Sequence, residues 1–214
     1  MAEDIEVAAR ERGLMLKPEF SDNLETAAAT IKQGGVVIAP SEGVYGLSCS
    51  ALDENAINRI IKIKERDSGK GLITIAGSID DLKDIVALDK VDAESKALMQ
   101  RLWPGPYTFV LPCADALKGR ILTGGRDSIA VRVTAFAPMA ELVKLSGVPL
   151  VSTSANLSGM DAESDFSLIS PIILKRVDVA LTIPCGDLQG STSVYDTKTH
   201  TLLRKGPQWP EDLK

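Results

Sequence analysis

Histidine is almost missing from this chain, with His200 alone among 214 residues. One imidazole, near a turn close to the C-terminus, supports neither a Ser-His-Asp triad nor a Cys-His pair, and no His/Cys cluster has metal-ligand spacing. Cysteine is scarce as well. Cys49, Cys113 and Cys185 are far apart and odd in number. They form no CxxC pair and no disulfide framework, so a reducing cytosol is the simplest compartment. Each is flanked by small or apolar residues, the usual setting of a buried thiol. Aromatic residues make up only 4%, which leaves few platforms for stacking nucleobases. The longest uncharged run, Leu145 to Met160, is shorter than the ~18 residues of a spanning helix and is rich in Ser, Thr and Asn, so no membrane span is expected. Met1 to Lys17 carries charges throughout and lacks the apolar core of a signal peptide. Net positive charge is absent too. The formal charge is -5, which argues against a nucleic-acid coat protein. Neither GxxxxGK[ST] nor a GxGxxG after a strand occurs.

What remains is an ordinary globular composition, 44% hydrophobic and 25% charged, long enough to bury one sizeable core. We divide it into an N-terminal extension over 1–20, one domain over 21–208 and a C-terminal tail over 209–214. The apolar spacing predicts helices over Ser21 to Gln33, from Asp53 to near Arg66, over Ser78 to Ala87, Asp92 to Arg101, Pro138 to Leu145 and Phe166 to Lys175. Short β-branched runs predict strands at Val36 to Ala39, after Tyr45, and over Gly71 to Ala76, Tyr107 to Leu111, Ser128 to Thr134, Pro149 to Ser152, Val179 to Ile183, Ser193 to Tyr195 and Thr201 to Arg204. Such alternation indicates an α/β fold, and several connections are too short for crossovers, so the sheet should be mixed.

Five places could carry chemistry. Lys64-Glu65-Arg66 with Lys70 lies at a helix end before a Gly-containing loop. Two cations there could hold a polyphosphate, or merely complement the helix dipole. The wider segment Arg59 to Lys70 has five cations against two carboxylates, which suits an anionic small ligand as readily as RNA. Ser152, Ser154 and Asn156 follow the apolar strand at Pro149, where α/β sheets commonly bind ligands; a self-satisfied turn is the plain alternative. Arg132 points away from Ile129, Val131 and Val133, either to grip a carboxylate in a cleft or to sit on a solvated face. Ser41 and Tyr45 flank a Gly-containing turn that is open to close ligand approach, or simply tight. Trp103-Pro104-Gly105-Pro106, with Thr108 beyond it, is an unusual rigid loop.

Together these stretches resemble the YrdC/Sua5 family of threonylcarbamoyl-AMP synthases, in its short single-domain bacterial form. The similar segments are GGVVIAPSEGVYGL from Gly34, IKERDSGKGLITIA from Ile63, LWPGPYTFVL from Leu102, SIAVRV from Ser128 and PLVSTSANLSG from Pro149. The resemblance implies an open, twisted, mixed parallel/antiparallel sheet with flanking helices around a large concave cleft. It implies that L-threonine, bicarbonate and ATP give threonylcarbamoyl-AMP and pyrophosphate, with Mg2+ carried on the ATP phosphates and no prosthetic group. Lys64 and Arg66 match the family's KxR and would bind the triphosphate as the catalytic pair. Ser154 and Asn156 match its SxN, and Thr108 and Arg204 complete the ATP contacts. Arg132 would grip the threonine carboxylate, with Ser41 and Ser152 lining that pocket. The implied partner is the complex that transfers threonylcarbamoyl to tRNA, with a weak tRNA contact conceivable and a cytoplasmic location. Three departures concern the pocket: Ser41 replaces a common Thr, Ile75 stands where longer relatives often carry His, and Thr192-Ser193-Val194-Tyr195-Asp196 only loosely matches the family's Ser-Thr-Val-Val-Asp. An RNA-binding module of the same fold is the rival reading.

Overall fold

The computed structural model describes residues 18–213. Ten strands form one sheet: β1 Glu19–Ser21, β2 Val37–Pro40, β3 Tyr45–Ser50, β4 Ile73–Ala76, β5 Tyr107–Pro112, β6 Ser128–Val133, β7 Leu150–Ser154, β8 Val179–Leu181, β9 Ser193–Asp196 and β10 Thr201–Arg204. Their order across the sheet is β1-β8-β2-β3-β7-β4-β6-β5-β9-β10. Four neighbouring pairs are parallel (β1/β8, β2/β8, β4/β6, β5/β9). The other five are antiparallel. The mixed open sheet expected from the short connections is therefore present.

Among the described residues five helices flank it: α1 Leu24–Lys32, α2 Glu54–Lys64, α3 Ala93–Leu102, α4 Ala137–Ser146 and α5 Pro171–Leu174. Because strand side chains alternate between faces, two separate cores form. One face receives Ile38, Leu47, Cys49, Phe109, Val131 and Val151, packed with Ile57, Ile60 and Ile63 of α2 and Met99 of α3. The opposite face receives Val37, Ala39, Ile75 and Leu150 beneath α1 and α4. Each fully buried aliphatic side chain contributes roughly 1.5–3 kcal/mol. Helices α1 and α4 cover only part of their face. Ser152 and Ser154 lie two and four residues beyond Leu150 on β7, on the same side, yet they line an open cleft. The uncovered remainder of that face is the cleft floor.

Several expectations are corrected. Helix α1 starts at Leu24, not Ser21, because Glu19–Ser21 is drawn into pairing with β8; Asn23 caps it, accepting from the Thr26 N–H at 3.1 Å. The helix expected over Ser78 to Ala87 is one 3-10 turn, Asp80–Leu82. Asp81 Oδ2 instead binds the N–H groups of Gly77 and Ser78, both at 2.9 Å, and Val86 pairs with Cys113. The stretch Phe166 to Lys175 splits into a 3-10 turn and α5, since Pro171 cannot donate to a continuous helix. Helix α2 stops at Lys64 because Glu65 turns left-handed at φ 52°. The residues expected as a C-terminal tail pack on the body: Trp209 is buried, stacks on Tyr195 and donates to the Leu213 carbonyl at 2.8 Å. The expected extension lies, up to residue 17, outside the described residues. Cys49 and Cys113 are buried as expected, but Cys185 is half-buried; desolvation still raises its pKa to about 11, so it behaves as a thiol.

Candidate functional site

The cleft has a volume of about 540 Å³. Its lining carries five cations, Arg66, Lys70, Arg126, Arg132 and Arg204, against two carboxylates, Glu42 and Asp196. An acidic chain has thus concentrated positive potential in one concave place, the arrangement that attracts and holds a polyanion.

One part of the cleft is built from the β2–β3 turn and from β6. Strand alternation turns Ser128, Ala130 and Arg132 to the cleft while Ile129, Val131 and Val133 enter the core. Arg132 is therefore not on a solvated face: it is 4% exposed. Its Nη2 lies 2.9 Å from Glu42 Oε2, and its Nη1 donates to Thr192 Oγ1 at 3.2 Å. Burial pulls the Arg132 pKa down while Glu42 pushes it up; a guanidinium stays charged through such a shift. Glu42 also accepts from Thr134 Oγ1 at 2.7 Å. Ser41 lines the cleft from the same turn, with its hydroxyl donated to the Val44 carbonyl at 2.7 Å. Ser152 lines it from β7.

The chain after β8 crosses this turn as a strap. Gly186 N donates to the Ser41 carbonyl and Leu188 N to the Glu42 carbonyl, both at 2.9 Å. A Cβ at Gly43 would meet the Leu188 oxygen at 2.1 Å, and one at Gly186 would meet the Glu42 oxygen at 2.6 Å. Only glycine permits backbones to approach this closely.

The other part is built where α2 ends beside the end of β7. Lys64 is 2% exposed and points inward. Its Nζ donates to the Asn156 carbonyl at 2.8 Å, to Asn156 Oδ1 at 2.9 Å and to the Ser154 carbonyl. Burial, aided by the nearby Arg66 charge, lowers its pKa to about 8. The ammonium thus ties α2 to the Ser154–Asn156 segment from beneath, and it is not among the residues that line the cleft. Arg66 does line it, with Nη2 anchored on the Gly71 carbonyl at 3.0 Å. Burial lowers the Arg66 pKa as well. Ser154 lines the cleft, while Asn156 stands just outside, its amide oxygen shared by Lys64 and the Ser154 hydroxyl.

Thr108 and Arg204 meet through Thr192. Arg204 lines the cleft, and its Nε donates to the Thr192 carbonyl at 2.8 Å. Thr108 is fully buried; its hydroxyl lies 3.3 Å from that of Thr192. Thr192 Oγ1 accepts from Arg132 and, at 3.4 Å, from Arg204, so its proton is available to Thr108. Ile75 is buried under α4 in the core and does not line the cleft.

Sequence reasoning missed Glu42, Arg126, Thr192 and the strap. Glu42 lies inside the turn that follows Ser41, and no local signal sets it apart. Thr123-Gly124-Gly125-Arg126 carried a usable signal, glycines preceding a cation. Nothing local marks Leu188 to Ser191, and Thr192 opens a segment that matches the family's Ser-Thr-Val-Val-Asp only loosely. Among the described residues, no group of three or more His, Cys, Asp or Glu side chains is placed to hold a metal, and no helix is long and apolar enough to cross a membrane.

Comparison with known proteins adds context. The Sua5/YciO/YrdC family model, described as telomere recombination, matches residues 29–206. A threonylcarbamoyl-AMP synthase of Xanthomonas campestris pv. campestris (strain B100) is 38% identical over 182 residues, 85% of this chain and 97% of that protein. Among solved structures, P. abyssi Sua5 complexed with L-threonine superposes with a TM-score of 0.80 at 30% identity over 90% of this chain. This chain spans 57% of that Sua5. E. coli YciO superposes at 0.77 with 27% identity, over 94% of this chain and 99% of its own.

Proposed function

The chain belongs to the Sua5/YciO/YrdC family, and on that premise we propose that it is a threonylcarbamoyl-AMP synthase acting as a nucleotidyltransferase. The carrying observation is that one cleft gathers Arg66 and Ser154 from the nucleotide segments with Ser41, Arg132 and Ser152 from the amino-acid segments. The relatives favour this reading over an RNA-binding module.

In the proposed reaction the threonine amine and bicarbonate give a carbamate and water. The carbamate oxygen attacks the ATP α-phosphorus, and pyrophosphate leaves. No enzyme nucleophile is required, so the chain contributes alignment and charge. Arg66, with Lys70, Arg126 and Arg204, supplies positive charge to the triphosphate. Lys64 holds the Ser154–Asn156 segment that meets the nucleotide and lends its charge from below. Arg132 receives the threonine carboxylate, with Ser41 and Ser152 around the side chain. Mg2+ belongs to the ATP, bound by phosphates and water, as its preference for waters and substrate phosphates allows. The product serves the threonylcarbamoyladenosine modification of tRNA, through a separate transferase complex in the cytoplasm.

The test is pyrophosphate release by the purified protein. It is expected only with ATP, threonine and bicarbonate together. Release that ignores threonine, or none at saturating substrates, would falsify the synthase reading.

A further inference from the structure

The proposed chemistry leaves the Glu42 carboxylate without a task, although it sits in the cleft beside the residue that would meet the amino acid. Its side chain is 9% exposed and that of Arg132 is 5% exposed. Two charges withdrawn from water this far are costly unless their other polar atoms are also engaged. Here the engagement has a direction. The Glu42 carboxylate accepts from Thr134 Oγ1 at Oε1, and the backbone that carries it is held by the strap, with Leu188 N donating to the Glu42 carbonyl and Gly186 packing against it. Thr134 is itself pinned, since its hydroxyl accepts from Phe136 N at 3.1 Å and its own N–H binds the Ala76 carbonyl at 3.1 Å. Arg132 is held at each terminal nitrogen, by the ion pair to Glu42 and by the Thr192 hydroxyl, while among the described residues Arg132 Nε and Glu42 Oε2 have no hydrogen-bond partner. The β2–β3 turn thus reaches β6 although β7 and β4 lie between those strands in the sheet.

We propose that Glu42 is a positioning residue for amino-acid recognition: it holds the Arg132 guanidinium in the orientation that presents it to the substrate carboxylate, and Thr134 holds Glu42. This rests on the synthase reading above. A carboxylate beside an arginine could instead compete with the substrate for it. The anchoring decides between the two, because the Glu42 carboxylate cannot swing aside without giving up the hydrogen bond from Thr134, whereas a guanidinium without Glu42 would lose one of its two holds. The same tether links the Ser41 turn to β6, so the Ser41 and Arg132 contacts are set relative to each other by one ion pair.

The experiment compares steady-state pyrophosphate release by the wild type with Glu42→Gln, Glu42→Asp and Thr134→Val, varying threonine and ATP separately. Glu42→Gln keeps the shape and removes the charge. It is expected to raise KM for threonine at least about tenfold while KM for ATP stays within about twofold. Glu42→Asp restores the charge one methylene short and should fall between. Thr134→Val should raise KM for threonine by about three- to tenfold. L-threoninamide, which lacks the carboxylate, adds a readout that general loosening would not move: discrimination against it should shrink in Glu42→Gln. If Glu42→Gln fails to fold, Glu42→Asp and Thr134→Val decide. An unchanged or lowered KM for threonine, or both KM values rising together, overturns the inference. A wild type with no threonine-dependent release removes the synthase reading and this inference with it. A wild type that is active and matched by its variants removes only the inference.

Discussion

Lys64 should make nucleotide binding depend on pH in a window where ATP does not titrate. Its pKa is lowered to about 8, burial being the larger cause and Arg66 the smaller. At that value about nine-tenths of Lys64 is charged at pH 7 and about one-tenth at pH 9. A neutral amine offers two N–H groups where three acceptors wait, and it no longer attracts phosphate. If the charged form is the competent one, apparent affinity scales with its fraction, so Kd for ATP should weaken about tenfold from pH 7 to 9. The last phosphate proton leaves near ~6, well below this window. The assay is calorimetric titration of MgATP into protein without threonine or bicarbonate, which removes the amine and carbonate equilibria. Bound phosphate favours the ammonium, so binding at pH 8 to 9 should take up protons, read from the dependence of the heat on the buffer. Instability is not a competing explanation. Lys64 has a folded-state pKa below its unfolded value of 10.5, so between about 8 and 10.5 the unfolded chain binds more protons and stability rises with pH on this account. A flat Kd from pH 7 to 9 would refute the reasoning, and so would Lys64→Met keeping the same step.

Two further outcomes concern stability. Arg132→Met should cost about 3–5 kcal/mol in denaturant unfolding, because it leaves Glu42 buried without its counter-charge, and adding Glu42→Gln should recover much of that loss; simple additivity would mean that the pair is not coupled. Trp209→Ala should cost about 3–5 kcal/mol and lower Tm by roughly 10 °C, since the indole is 5% exposed against Tyr195 and Tyr107. An unchanged Tm would place residues beyond Gly206 outside the cooperative unit.

The amphipathic and β-branched segments were legible because their periodicity is local. Asp53 as a cap, the face of α2 that buries Ile57 and Ile60, and the alternation that sends Arg132 opposite Val131 all follow from neighbours within a few residues. Where the reading failed, a distant partner had won. Ser21 stands at the start of an expected helix but β8 claims it as a strand, and Ser78 to Ala87 carries helical spacing that Asp81 and Cys113 divert. Trp209 gave no hint that its stacking partner was Tyr195. In the cleft, motifs located Arg66, Ser154, Arg132 and Ser41. They could not show that Lys64 points inward, since which end of a lysine faces water depends on the carbonyls that tertiary packing supplies. Nor could they show Glu42 opposite Arg132, because 90 positions separate the pair and no short-range rule joins them.

The place of β8 in the sheet also governs how the chain must be assembled during synthesis. Strand β2 pairs on one side with β3, a few residues later, but its other side receives Val179 and Ala180. Until those residues emerge, a hydrophobic strand of Val37, Ile38 and Ala39 presents an unpaired edge, the kind that recruits other chains. The strap over Ser41 and Glu42 arrives later still, at Gly186 and Leu188. A nascent chain can therefore fold its α2 and β3 units early, yet it holds no complete amino-acid pocket until Leu188 has been made.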